Sequence, residues 1–141
     1  MKKTITSTVA VLLTLVFILC LASCGGWDPA KVWENATYKE DASFGEGAKT
    51  AVVEVKVADY KVTLTVKTDK ETVGEALLEH DLISGDPGAY GLYVKKVNGI
   101  TADYDVDQSY WAFYINGETA MTGVDGTVIE EGTVYTLEYT R

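Results

Sequence analysis

The stretch Tyr110-Trp111-Ala112-Phe113-Tyr114-Ile115-Asn116-Gly117 constrains the fold more than any other part of this chain. Successive side chains of a strand point to opposite faces. Trp111, Phe113 and Ile115 therefore share one face, and Tyr110, Ala112 and Tyr114 the other. Asn-Gly follows at once, and both central positions of a type I′ hairpin turn need φ > 0, which these two residues adopt readily. The stretch predicts a strand buried on one face, lined with tyrosines on the other, and folded straight back. Such a strand needs paired neighbours and a layer to cover it.

The neighbours are legible on both sides. Val53, Val55 and Val57 alternate with Glu54 and Lys56; after Asp59-Tyr60, Val62, Leu64 and Val66 alternate with Thr63, Thr65 and Lys67. Two runs of period two with a tight connection predict an antiparallel hairpin, apolar on one face. Thr72-Val73-Gly74-Glu75 is a capping box, and Val73, Ala76, Leu77 and His80 follow at helical spacing, with Leu78, Leu82 and Ile83 widening that stripe. Ser84-Gly85-Asp86-Pro87-Gly88 is expected to stop the helix. Ala89 to Val97 reads as a strand that turns at Asn98-Gly99 into a short partner, Ile100 to Tyr104. Thr133 to Thr140 reads as the last strand. The order ββαβ…ββ predicts an α+β, β-grasp-like fold: a mixed sheet with one packed helix, its first and last strands lying parallel as central neighbours.

The N-terminus has a separate logic. Met1-Lys2-Lys3, an apolar run from Val9 to Leu19 and Leu21-Ala22-Ser23-Cys24 have the layout of a secretory leader. Leu-Ala-Ser-Cys is similar to the lipobox of bacterial lipoproteins, in which the cysteine is acylated and the chain is cut just before it. The expected divisions are a signal peptide over residues 1–23, a tether and approach segment over 24–49 beginning at the lipidated Cys24, and a folded domain over 50–141. The expected location is the extracytoplasmic face of the cell membrane, held by lipid. Cys20 falls in the leader and Cys24 carries lipid, so no disulfide is expected, nor a thiol site for zinc. Loss of Lys2 and Lys3 leaves 10 of the 12 basic side chains against 21 acidic ones, taking the net charge from −9 to about −11. Such a surface argues against nucleic acid and against flat docking on anionic lipid.

Candidate chemistry is sparse. His80 is the only histidine. With no nucleophile or ligand-spaced partner nearby, it reads as structural. Asp103, Asp105 and Asp107 start like a calcium loop, but Gln108 stands where the loop needs Gly and Tyr114 where it needs Glu. A solvated loop is the favoured reading. Adjacent carboxylates such as Glu130-Glu131 diverge rather than converge. Neither an enzyme nor a resident metal or cofactor is expected.

Several pieces occur together in a familiar order: Thr72-Val73-Gly74-Glu75-Ala76-Leu77-Leu78, Gly91-Leu92-Tyr93-Val94 with Val97-Asn98-Gly99-Ile100, Tyr110 to Gly117, Gly123-Val124, and Gly132-Thr133-Val134-Tyr135. The set resembles the DUF4430 domain, which is similar to the C-terminal β-domain of transcobalamin and intrinsic factor. Bacterial members are often lipoproteins or surface-layer modules. In the vitamin B12 carriers this domain forms one wall of the corrinoid site. The resemblance implies a ligand-facing segment at Ala89, Tyr90, Gly91, Leu92 and Tyr93, with cobalamin as the ligand to consider. Tyr110, Trp111, Phe113 and Tyr114 read as a structural aromatic strand. In the carriers a helical domain supplies the opposite wall, and no counterpart to it is expected from these 141 residues.

Two functions fit. One is a lipid-anchored binding module for a small ligand, touching it through tyrosines; the other is a structural or protein-interaction module of the cell envelope. Tyrosine supplies rigid apolar area with a polar tip. It also has high strand propensity, which accounts for nine tyrosines without any ligand.

Overall fold

A computed structural model describes residues 26–141; the leader expected over 1–23 and Cys24 lie outside the described residues. The elements in order are α1 (Pro29–Trp33), β1 (Ala42–Phe44), β2 (Lys49–Val57), β3 (Tyr60–Thr68), α2 (Val73–Glu79), β4 (Ile83–Gly88), β5 (Gly91–Val97), β6 (Ile100–Thr101), α3 (Tyr104–Asp107), β7 (Tyr110–Ile115), β8 (Glu118–Thr119), a 3-10 turn (Val124–Gly126) and β9 (Val134–Thr140). The fold is α+β. A six-stranded mixed sheet runs β1-β3-β2-β9-β7-β8, and a separate three-stranded sheet runs β4-β5-β6. Among the described residues no helix is long and apolar enough to cross a membrane.

The alternating valines set the core. Val53, Val55, Val57, Val62, Leu64 and Val66 are all buried on one face of the β2–β3 hairpin. β9 lies parallel to β2, from Val52 opposite Val134 to Val57 opposite Tyr139. The first long strand and the last are thus the central parallel neighbours, as expected. Tyr135 and Leu137 extend the buried face across β9, and Trp111 does so on β7. α2 crosses this face behind its capping box: the Thr72 hydroxyl accepts from the Glu75 amide at 3.2 Å, and the Glu75 carboxylate accepts from the Thr72 amide at 3.1 Å. Val73, Ala76 and Leu77 are buried beneath it, whereas Leu78 faces solvent.

The aromatic strand is not the middle of the sheet. β7 pairs with β9 on one side and with only two residues of β8 on the other. β2 and β9 take the centre, each with a long partner on either side, and both bury one face fully: Val53, Val55 and Val57 on β2, and Tyr135, Leu137 and Tyr139 on β9. The Asn-Gly turns form as expected: Asn116 and Gly117 hold φ of 49 and 81, and Asn98 and Gly99 hold 50 and 82. The segment 84–88, expected only to end the helix, is strand β4. α2 ends at Glu79, and Leu82 already donates its amide to the Leu77 carbonyl at 3.0 Å. Pro87 is tolerated because β4 is an edge strand. The partner expected over Ile100 to Tyr104 shortens to β6, and the acidic run folds into the single turn α3.

Residues 26–48 carry elements of their own. Trp33 is buried in the core and stacks on Tyr60 with ring centroids 5.6 Å apart, and Trp27 packs against Tyr139. β1 adds to the sheet edge parallel to β3. The Asn98 side chain holds the backbone of Tyr38 from both sides, accepting from its amide and donating to its carbonyl at 2.8 Å each. Widely spaced aromatics of this kind carry no period, because each meets a different part of the body.

Candidate functional site

The residues expected to face a ligand come together at one place, the free end of the β4–β5 hairpin. Its base is fixed by burial: Ile83 and Val97 sit opposite each other, both in the core. The register shifts between Ser84 and Gly85, an irregularity that bends a strand and increases its twist. Gly85 is required there, since a Cβ on it would lie 1.9 Å from the Tyr93 carbonyl oxygen. Beyond the bend the strands run through Pro87 opposite Leu92 to Gly88 opposite Gly91, leaving Ala89 and Tyr90 as the connection.

Tyr90 at the tip is 100% exposed and Tyr93 is 45% exposed. Leu92 and Val94, between and beyond them, turn inward and pack against the core. The alternation of β5 therefore places Tyr93 outward by the same rule that buries its neighbours. Tyr93 lies opposite Asp86, whose carboxylate is 2.9 Å from the Lys95 ammonium. The hydrogen bond and charge of Asp86 raise the Lys95 pKa above the ordinary lysine value. From the body, the Asp125 carboxylate accepts the Leu92 amide at 2.8 Å.

The aromatic strand divides by face as expected. Trp111 is 8% exposed and meets Tyr139 edge-on at 5.6 Å, and Phe113 stacks on Tyr135 at 6.2 Å. Tyr110 is exposed and Tyr114 half-buried on the opposite face. Tyr114 borders an open dish of about 490 Å³ on that face, with Glu54, Lys56, Asn116, Thr136 and Glu138. Lys56 and Glu138 lie 3.7 Å apart, and Lys61 and Glu54 3.3 Å apart, so the charges there are matched within the sheet.

The three alternate aspartates are occupied locally. Asp103 caps α3 by accepting the Asp105 amide at 3.0 Å. Asp107 accepts the amide of Ser109 at 3.0 Å and also its hydroxyl, and these bonds hold its carboxyl below the ordinary aspartate range. Among the described residues, no three His, Cys, Asp or Glu side chains come together as a metal site. His80 packs against Phe44 with centroids 5.8 Å apart, and its Nε2 is buried without a hydrogen-bond partner. Sequence reasoning missed Asp125. It sits in a Gly-Val-Asp-Gly run that reads as an ordinary loop, with nothing to show what its side chain reaches.

No curated protein matches the chain by sequence. Among solved structures, it is similar to a candidate metal-binding protein from Ruminococcus gnavus, with 30% identity and a TM-score of 0.62, covering 67% of this chain and 98% of that one. It is also similar in fold to haptocorrin in complex with Cbi, with 19% identity and a TM-score of 0.51 over 70% of this chain. The match spans only 26% of haptocorrin's length. The profile of DUF4430, a domain of unknown function, matches residues 70–141. That match takes in α2, the projecting hairpin, the aromatic strand and β9, and on it this chain belongs to the DUF4430 family.

Proposed function

We propose that the protein is a non-catalytic binding module, held by lipid on Cys24 at the outer face of the cell membrane, that takes a small ligand at the tip of the β4–β5 hairpin. One observation carries this reading: Tyr90 and Tyr93 are displayed to solvent on a hairpin whose base and inner face are packed into the core. Aromatic side chains held this way lose little conformational freedom when a ligand covers them. A flat, amphipathic ligand suits two such rings, and the fold likeness to haptocorrin makes a corrinoid the first to test. Fold likeness alone does not carry a ligand.

The test is a titration of the mature protein with cobalamin, following intrinsic fluorescence and melting temperature. A ligand present at about 100 times its Kd adds about 2.7 kcal/mol to stability, so binding raises the midpoint. Tyr90→Ala with Tyr93→Ala should abolish that rise. An unchanged midpoint at millimolar cobalamin would remove the corrinoid. Retention of a partner from envelope extract that needs the same two tyrosines would then favour the protein-interaction module.

A further inference from the structure

Tyr90 and Tyr93 are carried on a projecting hairpin, so their usefulness depends on what holds that hairpin at a fixed angle. The Lys95–Asp86 pair does not: both residues lie within the hairpin, at an exposed site where such pairs contribute little. Among the described residues, one side-chain hydrogen bond reaches residues 86–93 from the body, the one from the Leu92 amide to Asp125 Oδ2 at 2.8 Å. The fit around that carboxylate is close. A Cβ on Gly91 would lie 2.5 Å from Oδ2 and 2.6 Å from Oδ1, and Gly91 holds φ +105. On the other side, a Cβ on Gly74 of α2 would lie 2.8 Å from the Asp125 amide nitrogen.

Asp125 is thus seated between two glycines, one on the helix and one at the hairpin tip. Its own turn is well held. Val124 is buried, the Thr127 hydroxyl donates to the Gly123 carbonyl at 2.8 Å, and the Val73 amide donates to the Thr127 carbonyl at 2.9 Å. The three parts form a rigid line from the start of α2, through the 3-10 turn, to the amide of Leu92.

We infer that Asp125 is a positioning residue that sets the angle at which the hairpin presents Tyr90 and Tyr93. The inference rests on the tip being the ligand-binding element, but its first readout needs no ligand. Without the carboxylate, the part-buried Leu92 amide loses its acceptor, and the tip keeps the apolar packing of Leu92 and its cross-strand pairs with an edge strand that contains a proline.

The test is hydrogen exchange on the mature protein and its variants, followed by cobalamin titration. Asp125→Ala should speed exchange at Leu92 and its neighbours roughly tenfold, with the amides of Leu64 and Leu137 unchanged. Asp125→Asn keeps an oxygen acceptor and should restore most of the protection. Gly91→Ala keeps the carboxylate but wedges it away, and should loosen the tip as Asp125→Ala does. Cobalamin affinity should fall roughly tenfold in the loosened variants. Unchanged tip exchange in both Asp125→Ala and Gly91→Ala would overturn the inference whatever the ligand. A loosened tip that binds cobalamin as tightly as the wild type would overturn the link between pose and binding. A wild type that does not bind cobalamin at all defeats the proposed ligand, while the exchange result still decides whether Asp125 holds the hairpin.

Discussion

The β2–β9 centre and the β4–β5 hairpin are both built from extended strands, yet they put their side chains to opposite uses. In the centre, Val53, Val55, Tyr135 and Leu137 are buried and each strand has a partner on either side. In the hairpin, full burial is confined to Ile83 and Val97 at the base, Leu92 and Val94 are partly buried on the inner face, and the far end displays a proline and two tyrosines at the edge of a small sheet. Burial of apolar area is the main favourable term in folding, so the centre holds the domain together. The outer face and tip of the hairpin add little to that, which leaves their surface open to contact with something else. On the proposed reading, stability and recognition sit on separate strands, and the Asp125–Leu92 hydrogen bond ties the hairpin to the body.

Substitutions can break or sharpen that contrast. The largest effect is expected on the centre's side, from a residue outside the main strands. Trp33→Ala should cost about 3–5 kcal/mol in urea unfolding, because Trp33 fills the end of the core against Tyr60. A loss under about 1 kcal/mol would place α1 with the dispensable regions instead. Next comes the tie between the β5–β6 turn and the segment before β1. Asn98→Ala leaves both backbone groups of Tyr38 without their partner and should cost about 1–3 kcal/mol.

The helix cap is smaller. Thr72→Ala should cost about 1 kcal/mol. The cap also makes stability pH-dependent. Backbone hydrogen bonds from Thr72 and Glu71 lower the Glu75 pKa, so its contribution is present above the unfolded glutamate value of about 4.3. It is lost as pH falls through the lower folded value. The midpoint advantage of wild type over Glu75→Gln should accordingly shrink below about pH 4. The smallest effect belongs to the hairpin tip: Tyr90→Ala should change stability by less than about 0.5 kcal/mol while removing any response to a tip-bound ligand. A marked loss of stability there would mean that the tip packs on the body after all.

The strands were legible wherever one face is buried and the other wet, because that difference writes a period of two into the residues. Val53 to Val57 and Val62 to Val66 are the clearest cases. β4 was not legible: its Ser-Gly-Asp-Pro-Gly composition is that of a turn, and its pairing with β5 comes from a partner rather than from its own residues. The candidate site was half legible. Tyr90 and Tyr93 could be named, but the acceptor that holds their hairpin lies in another loop.

Alternation of apolar and polar residues, the Thr72–Glu75 cap and the two Asn-Gly turns were settled by the chain alone, since each depends on neighbours within a few residues. Which strands became central, where Trp33 found its place and what Asp125 grips were settled only on folding. Those outcomes join groups far apart along the chain, as when Asn98 meets Tyr38 sixty residues away, or Asp125 meets Leu92 across thirty-three. Local sequence does not encode such meetings; they form when the whole core closes and brings a donor and an acceptor within reach.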